Sequence, residues 1–205
     1  MVWSVIPERM GVWMLAAAIV GAIAGGIGGA IGYGIGALVA RSFGFEKAMT
    51  IEDLLAREAI RDTLAKYNTS GDRSRTEDYA ACFTTDGIIE SEDRRGGKGI
   101  YYEGRDAILA WQNAWKNTPK GEESSVVKRS AEFVRHNLTT CKIDLTGPDT
   151  ADVRTYWMVI TDVGPDHSGV YVDKFRKEDG KWLIAHRKVR TDWFAPNSHF
   201  GGGRS

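Results

Sequence analysis

A histidine inside the β-like run "FVRHNLTT" is the residue with the plainest capacity for chemistry in this chain. His136 alternates with Val134 and Leu138, which places it on the apolar face of a strand. Imidazoles change protonation near neutral pH and can take or return a proton there. On such a face the ring is either a satisfied core group or a functional one. Arg187, in "WLIAHRKV", alternates with Leu183, Ala185 and Val189. A guanidinium keeps its charge, so on an apolar face it requires a carboxylate partner or an anionic site. Asp72, in "SGDR", follows a helical pattern and is either a turn or cap residue or a functional acid. Surface roles are expected for His186, on the opposite face, and for His167, in a turn. His199 sits in a glycine-rich tail expected to lack fixed structure.

The elements that must position these residues are legible from periodicity. Thr50 is a suitable N-cap with Asp53 at the third helical position, and Ile51, Leu54, Leu55, Ile60 and Leu64 recur at helical spacing toward about Asn68. Thr76 caps a second, short helix through Phe83, and "DGIIES" and "GIYYEG" are short strands around a polar loop. A third helix spans Asp106 to Asn117 with Ile108, Trp111 and Trp115 on one face. The period then changes to two. Four long strands, "EFVRHNLTTCKIDL", "TADVRTYWMVITDV", "HSGVYVDKFRKE" and "KWLIAHRKVRTDWF", are separated by the turn segments "TGPDT", "GPD" and "EDGK". Helices followed by a meander predict an α+β fold: a cone-shaped, curved antiparallel sheet wrapped over three helices, with a pocket inside.

Composition narrows the partners. With 27 basic and 27 acidic side chains among 205 residues, and no basic run, a nucleic-acid-binding surface is disfavoured. Cys82 and Cys141 have no metal-ligand spacing and read as packing residues.

Three stretches, "REAIRDTLAKYNTSGD", "VRHNLTTCKIDLTGPDTADV" and "GVYVDKFRKEDGKWLIAHRKVR", together resemble the SnoaL-like branch of the nuclear transport factor 2-like superfamily. The likeness covers about Ile51 to Phe194, and its most typical piece is the hairpin from Tyr171 to Trp182. Within that superfamily the chain is most similar to the scytalone dehydratase, lindane dehydrochlorinase and bile-acid dehydratase group. The resemblance implies a His–Asp dyad at His136 and Asp72, a pocket arginine at Arg187, and an assisting tyrosine at Tyr67. Tyr67 stands where the dehydrochlorinase has a lysine, which favours loss of water or another oxygen leaving group over loss of chloride. The physical logic agrees: a carboxylate on one ring nitrogen fixes the tautomer and steadies the imidazolium that forms. No metal or organic cofactor is required for such chemistry.

The N-terminal part, residues 1–49, differs from the domain over 50–205. From Met10 to Ala40 no side chain is charged, and the run is long enough for a single transmembrane-like helix. Gly21, Gly25 and Gly29, and likewise Gly28, Gly32 and Gly36, recur every four residues and would let a second helix approach closely. Arg41 and Lys47 after the run, against Arg9 before it, favour a cytoplasmic side for the large domain. The sequence therefore predicts a membrane-anchored, cofactor-independent lyase or isomerase acting on a hydrophobic cyclic small molecule. The expected partners are the membrane, a second copy of the chain, or helices of a membrane complex. The alternative is a non-catalytic accessory subunit that assembles through its glycine-ridged helix.

Overall fold

A computed structural model of the chain describes residues 49–92, 99–118 and 131–200. The membrane segment and its six ridge glycines, Gly21, Gly25, Gly28, Gly29, Gly32 and Gly36, lie outside the described residues. Among the described residues no helix is long and apolar enough to cross a membrane.

Three helices, α1 (Ile51–Asp72), α2 (Thr76–Ala80) and α3 (Arg105–Asn117), are followed or interleaved by six strands. These are β1 (Phe83–Glu92), β2 (Tyr101–Glu103), β3 (Arg135–Leu145), β4 (Thr150–Thr161), β5 (Gly164–Glu178) and β6 (Lys181–Phe194). They form one sheet in the order β2-β1-β6-β5-β4-β3. The four long strands make the expected antiparallel meander. The sheet as a whole is mixed, however, because β1 runs parallel to β6. Between β6 and β1 the chain has no tight turn; β1 arrives from α2, which fixes its direction. Bulges in β1, β3, β5 and β6 bend the sheet over the helices.

The helix α1 supplies the other wall of the core. Ile60, Leu64, Tyr67 and Asn68 fall on one stripe and are buried. Ile51, Leu54 and Leu55, expected on the same face, are exposed instead. The stripe continues toward the C-terminus, where the helix runs four residues past its expected end. Thr69 Oγ1 donates back to the Ala65 carbonyl at 2.9 Å, which lets a polar residue stay helical. Asp72 is consequently the last helical residue, not a turn residue. Near its middle, Thr63 Oγ1 donates to the Trp182 carbonyl (2.7 Å), pinning α1 to β6.

Two local features set the inner face of the sheet. The β5–β6 hairpin turns at Asp179 and Gly180, both at positive φ (51° and 76°), as a two-residue Asp-Gly turn favours. Gly169 sits opposite Trp157 in the register, and a Cβ there would meet Trp157 Cζ2 at 2.8 Å and collide with the Arg190 carbonyl. The missing side chain is what lets the indole lie flat across the sheet.

Candidate active site

Between the C-terminal half of α1, helix α3 and the inner face of the sheet lies a cavity of about 360 Å³. Its wall is rich in aromatic side chains, with Tyr67, Tyr79, Trp111, Trp115, Trp157 and Tyr171 among the lining residues, and His136, Asp72, Asn68 and His167 supply polar groups.

Asp72 and His136 meet at its edge although 64 positions separate them. Asp72 is carried by the last turn of α1 and His136 by the start of β3, so helix and strand ends converge on one point. The His136 ring Nδ1 lies 2.6 Å from Asp72 Oδ1, and the His136 backbone N–H donates to Asp72 Oδ2 at 3.1 Å. One carboxylate thus holds both the backbone and the ring. A carboxylate only accepts, so the neutral ring places its proton on Nδ1 and leaves the Nε2 lone pair free. The Asp72 side chain is 7% exposed and that of His136 is 26% exposed. The imidazole is reachable while its partner is not.

Tyr67 lines the cavity one and a half turns before Asp72, and the Tyr79 hydroxyl donates to its oxygen at 2.6 Å. Burial raises its pKa, against a lowering pull from Arg187, so the phenol keeps its proton at neutral pH. Because its oxygen already accepts from Tyr79, the Tyr67 proton is available to a third group.

Arg187 realises the carboxylate alternative. It stands directly opposite Asp173 in the β5–β6 register, and a bulge at Ala185 brings both Ile184 and Arg187 to the inner face. Nε and Nη2 donate to the two Asp173 oxygens at 2.9 and 2.6 Å. The guanidinium carbon lies 4.0 Å from the ring centroids of both Tyr67 and Tyr171, a double cation–π sandwich. Burial alone would lower its pKa, but the adjacent Asp173 carboxylate holds it above the ordinary arginine value. Arg187 is fully buried and does not line the cavity; it acts on it through Tyr67 and Tyr171.

A second imidazole, placed by the sequence in a surface turn, is in the wall. The β4–β5 turn is Asp162–Val163, so Gly164, Pro165 and Asp166 belong to β5. His167 is buried, with its Nδ1 2.7 Å from Asp166 Oδ1. His199 is ordered as well: its backbone N–H donates to Asp166 Oδ2 (2.9 Å) and its ring meets Asp162. His186 pairs with Glu90 at 3.1 Å, away from the cavity wall. Two further residues of the site and its support, Trp157 and Asp173, carried a readable signal in the sequence. Trp157 shares strand parity with Val153 and Thr155, and Asp173 with Tyr171 and Phe175. Asp166 and His167 carried none, since a bulge turns consecutive residues inward together.

Burial lowers the His167 pKa from 6.5, against a raising pull from Asp166. The native state therefore binds fewer protons than the unfolded chain just below that pH, and stability falls as pH drops through it. Above about 6.5 this contribution is level. Asp166 is also lowered: burial pushes it up, but bonds from Ser198, His199 and His167 outweigh that. Its stabilisation is present above about 3.8 and is lost only in stronger acid. Thermal melts between about pH 7.5 and pH 5 should show a decline in Tm for the native chain that His167→Gln flattens.

The match to known proteins follows this geometry. A family model described as a SnoaL-like domain matches residues 52–188. No curated protein matches the chain. Among solved structures, a Mycobacterium tuberculosis protein of unknown function is similar at 28% identity and TM-score 0.52, covering 70% of this chain and 80% of that one. A candidate scytalone dehydratase from Novosphingobium aromaticivorans is similar at 22% identity and TM-score 0.56, covering 77% and 99%. The hexachlorocyclohexane dehydrochlorinase LinA-type3 from Novosphingobium barchaimii is similar at 17% identity and TM-score 0.55, covering 74% and 98%. At 22% and 17% identity the likeness is one of fold. With two thirds of its length under the family model and that fold around its cavity, the chain belongs to the SnoaL-like domain family.

Proposed function

We propose that the chain is a cofactor-independent lyase, dehydratase-like, or an isomerase, acting on a hydrophobic cyclic small molecule, with His136 as its base. The observation that carries this is the 2.6 Å contact of His136 Nδ1 with a nearly buried Asp72, on the wall of an aromatic cavity. About 360 Å³ falls within the range of roughly 300–1,000 Å³ typical of small-molecule sites.

In the elimination, His136 Nε2 takes the proton from a carbon adjacent to the one bearing the leaving group. The C–H electron pair becomes the new π bond, and the leaving oxygen departs with the pair of its C–O bond. It collects a proton from the imidazolium, so water is released and His136 returns to its neutral form. Asp72 stabilises the imidazolium in between. Isomerisation uses the same first step, with the proton returned to a different carbon. Tyr67 donates a hydrogen bond to the oxygen on which negative charge grows. Arg187 supports it from beneath the Tyr67 ring, which makes Arg187 a positioning residue. A tether through residues 10–40 would suit a substrate that partitions into lipid, with the domain on the cytoplasmic side.

The test is a panel of cyclic β-hydroxyketones incubated with the full chain, read by new conjugated-enone absorbance and by loss of water in the mass. Turnover by the native chain and its absence in His136→Gln is the expected result. If His136→Ala and Asp72→Asn keep full function in the cell while Gly25→Leu and Gly29→Leu abolish it, the chain is an accessory subunit instead.

A further inference from the structure

Two strands from His136, on the same sheet, the cavity wall holds a second imidazole that the elimination does not use. His136 on β3 pairs with Val159 on β4, and Val159 pairs with His167 on β5. The three residues form one row on the inner face, so the two histidines stand two strand spacings apart, about 10 Å between backbones. Asp166 is the extra residue of a bulge, because Val159 faces His167 while Ile160 faces Pro165. That bulge is why adjacent residues in a strand both point inward.

The carboxylate of Asp166 is fully occupied as an acceptor. Oδ1 receives His167 Nδ1 (2.7 Å) and Ser198 Oγ (2.5 Å); Oδ2 receives Thr161 Oγ1 (3.2 Å) and the His199 N–H (2.9 Å). Four bonds fill its lone-pair sites and keep it ionised, so His167 is held with its proton on Nδ1. The ring itself is fixed by Phe194, stacked at 5.4 Å, by Phe200 at 4.7 Å, and by the edge of Trp157 at 5.4 Å. Its remaining polar atom, Nε2, has no hydrogen bond among the described residues, and His167 is part of the cavity wall. The charged and titratable groups that face the ring are Asp166 beside it and His136 across the row.

We infer that His167 is a specificity residue: its Nε2 accepts a hydrogen bond from a hydroxyl on the bound ring, two strands along the cavity wall from His136. A structural histidine that merely ties down the segment after β6 would need Nδ1 only. Here the bulge, the carboxylate and three aromatic neighbours hold the ring in the cavity wall with the other nitrogen unpaired among the described residues. The substrate class is accordingly a ring that carries an O–H remote from its reacting carbon.

This rests on the reading of the cavity as a substrate site, but its test needs no turnover and can fail separately. Binding of 4-methylphenol and of toluene to the full chain is compared by calorimetry. The two probes differ only in the O–H. The native chain should prefer the phenol by roughly tenfold, the worth of one net hydrogen bond. In His167→Phe that preference should vanish while toluene affinity holds; in Asp166→Asn it should shrink, because the ring loses its fixed tautomer. His136→Gln should leave the preference in place. Equal binding of the two probes by the native chain, failure of the phenol to bind, or a preference that survives His167→Phe and disappears in His136→Gln, overturns the assignment.

Discussion

Asp72→Asn should lower kcat by about three to four orders of magnitude while the fold stays intact. An asparagine keeps a carbonyl oxygen for the His136 backbone N–H, so the local backbone bond survives. What changes is the ring. The amide can donate to Nδ1, which moves the imidazole proton to Nε2, and a protonated Nε2 cannot accept a proton from carbon. The imidazolium also loses its counter-charge 2.6 Å away. Single-turnover kinetics on whichever substrate the panel identifies measures the effect, and a Tm within a few degrees of the native value separates it from unfolding. Near-native kcat in Asp72→Asn would mean the carboxylate is only a helix-end tie for β3.

Asp173→Leu should cost about 3–5 kcal/mol of folding stability. The Arg187 and Asp173 side chains are both 0% exposed, and the guanidinium is clamped between two tyrosine rings. A guanidinium's ordinary pKa lies so far above neutral that it cannot escape by losing its proton. Removing the carboxylate leaves an uncompensated buried charge, whereas removing both partners does not. The double variant Asp173→Leu with Arg187→Met should regain most of the loss. Urea denaturation at fixed pH reads both. Since a domain of this size has only about 5–15 kcal/mol in hand, the single variant should be marginal or unfolded. A loss under about 1 kcal/mol would show that the pair is not what keeps the core polar cluster neutral overall.

The long strands were readable because their inner faces alternate over many residues: Val153, Thr155, Trp157 and Val159 leave little doubt about period or parity. Helix α3 was equally plain, with Ile108, Trp111 and Trp115 a turn apart. The dyad emerged because His136 follows the parity of its strand and Asp72 lies in a motif shared with a recognisable family. What escaped has a common physical origin in bulges and tertiary contacts. A bulge at Asp166 turned "GPDH" from a turn into a strand and put His167 in the wall. The end of α1 was set by the bonds Asp72 makes to β3, not by the intrinsic turn preference of "SGD". The parallel pairing of β1 with β6 joins segments about a hundred residues apart, and no local pattern encodes it. The Asp173 partner of Arg187 lay inside a quoted motif, yet only the register places the two opposite each other.

The central claim is that His136 presents an unprotonated Nε2 to the cavity because Asp72 holds its Nδ1 proton. Long-range ¹⁵N–¹H correlation of the histidine rings at neutral pH tests it without any substrate. The account predicts a neutral His136 ring protonated at Nδ1, and a switch of that proton to Nε2 in Asp72→Asn. A native His136 ring carrying its proton on Nε2, or one whose spectrum is indifferent to Asp72→Asn, would contradict it.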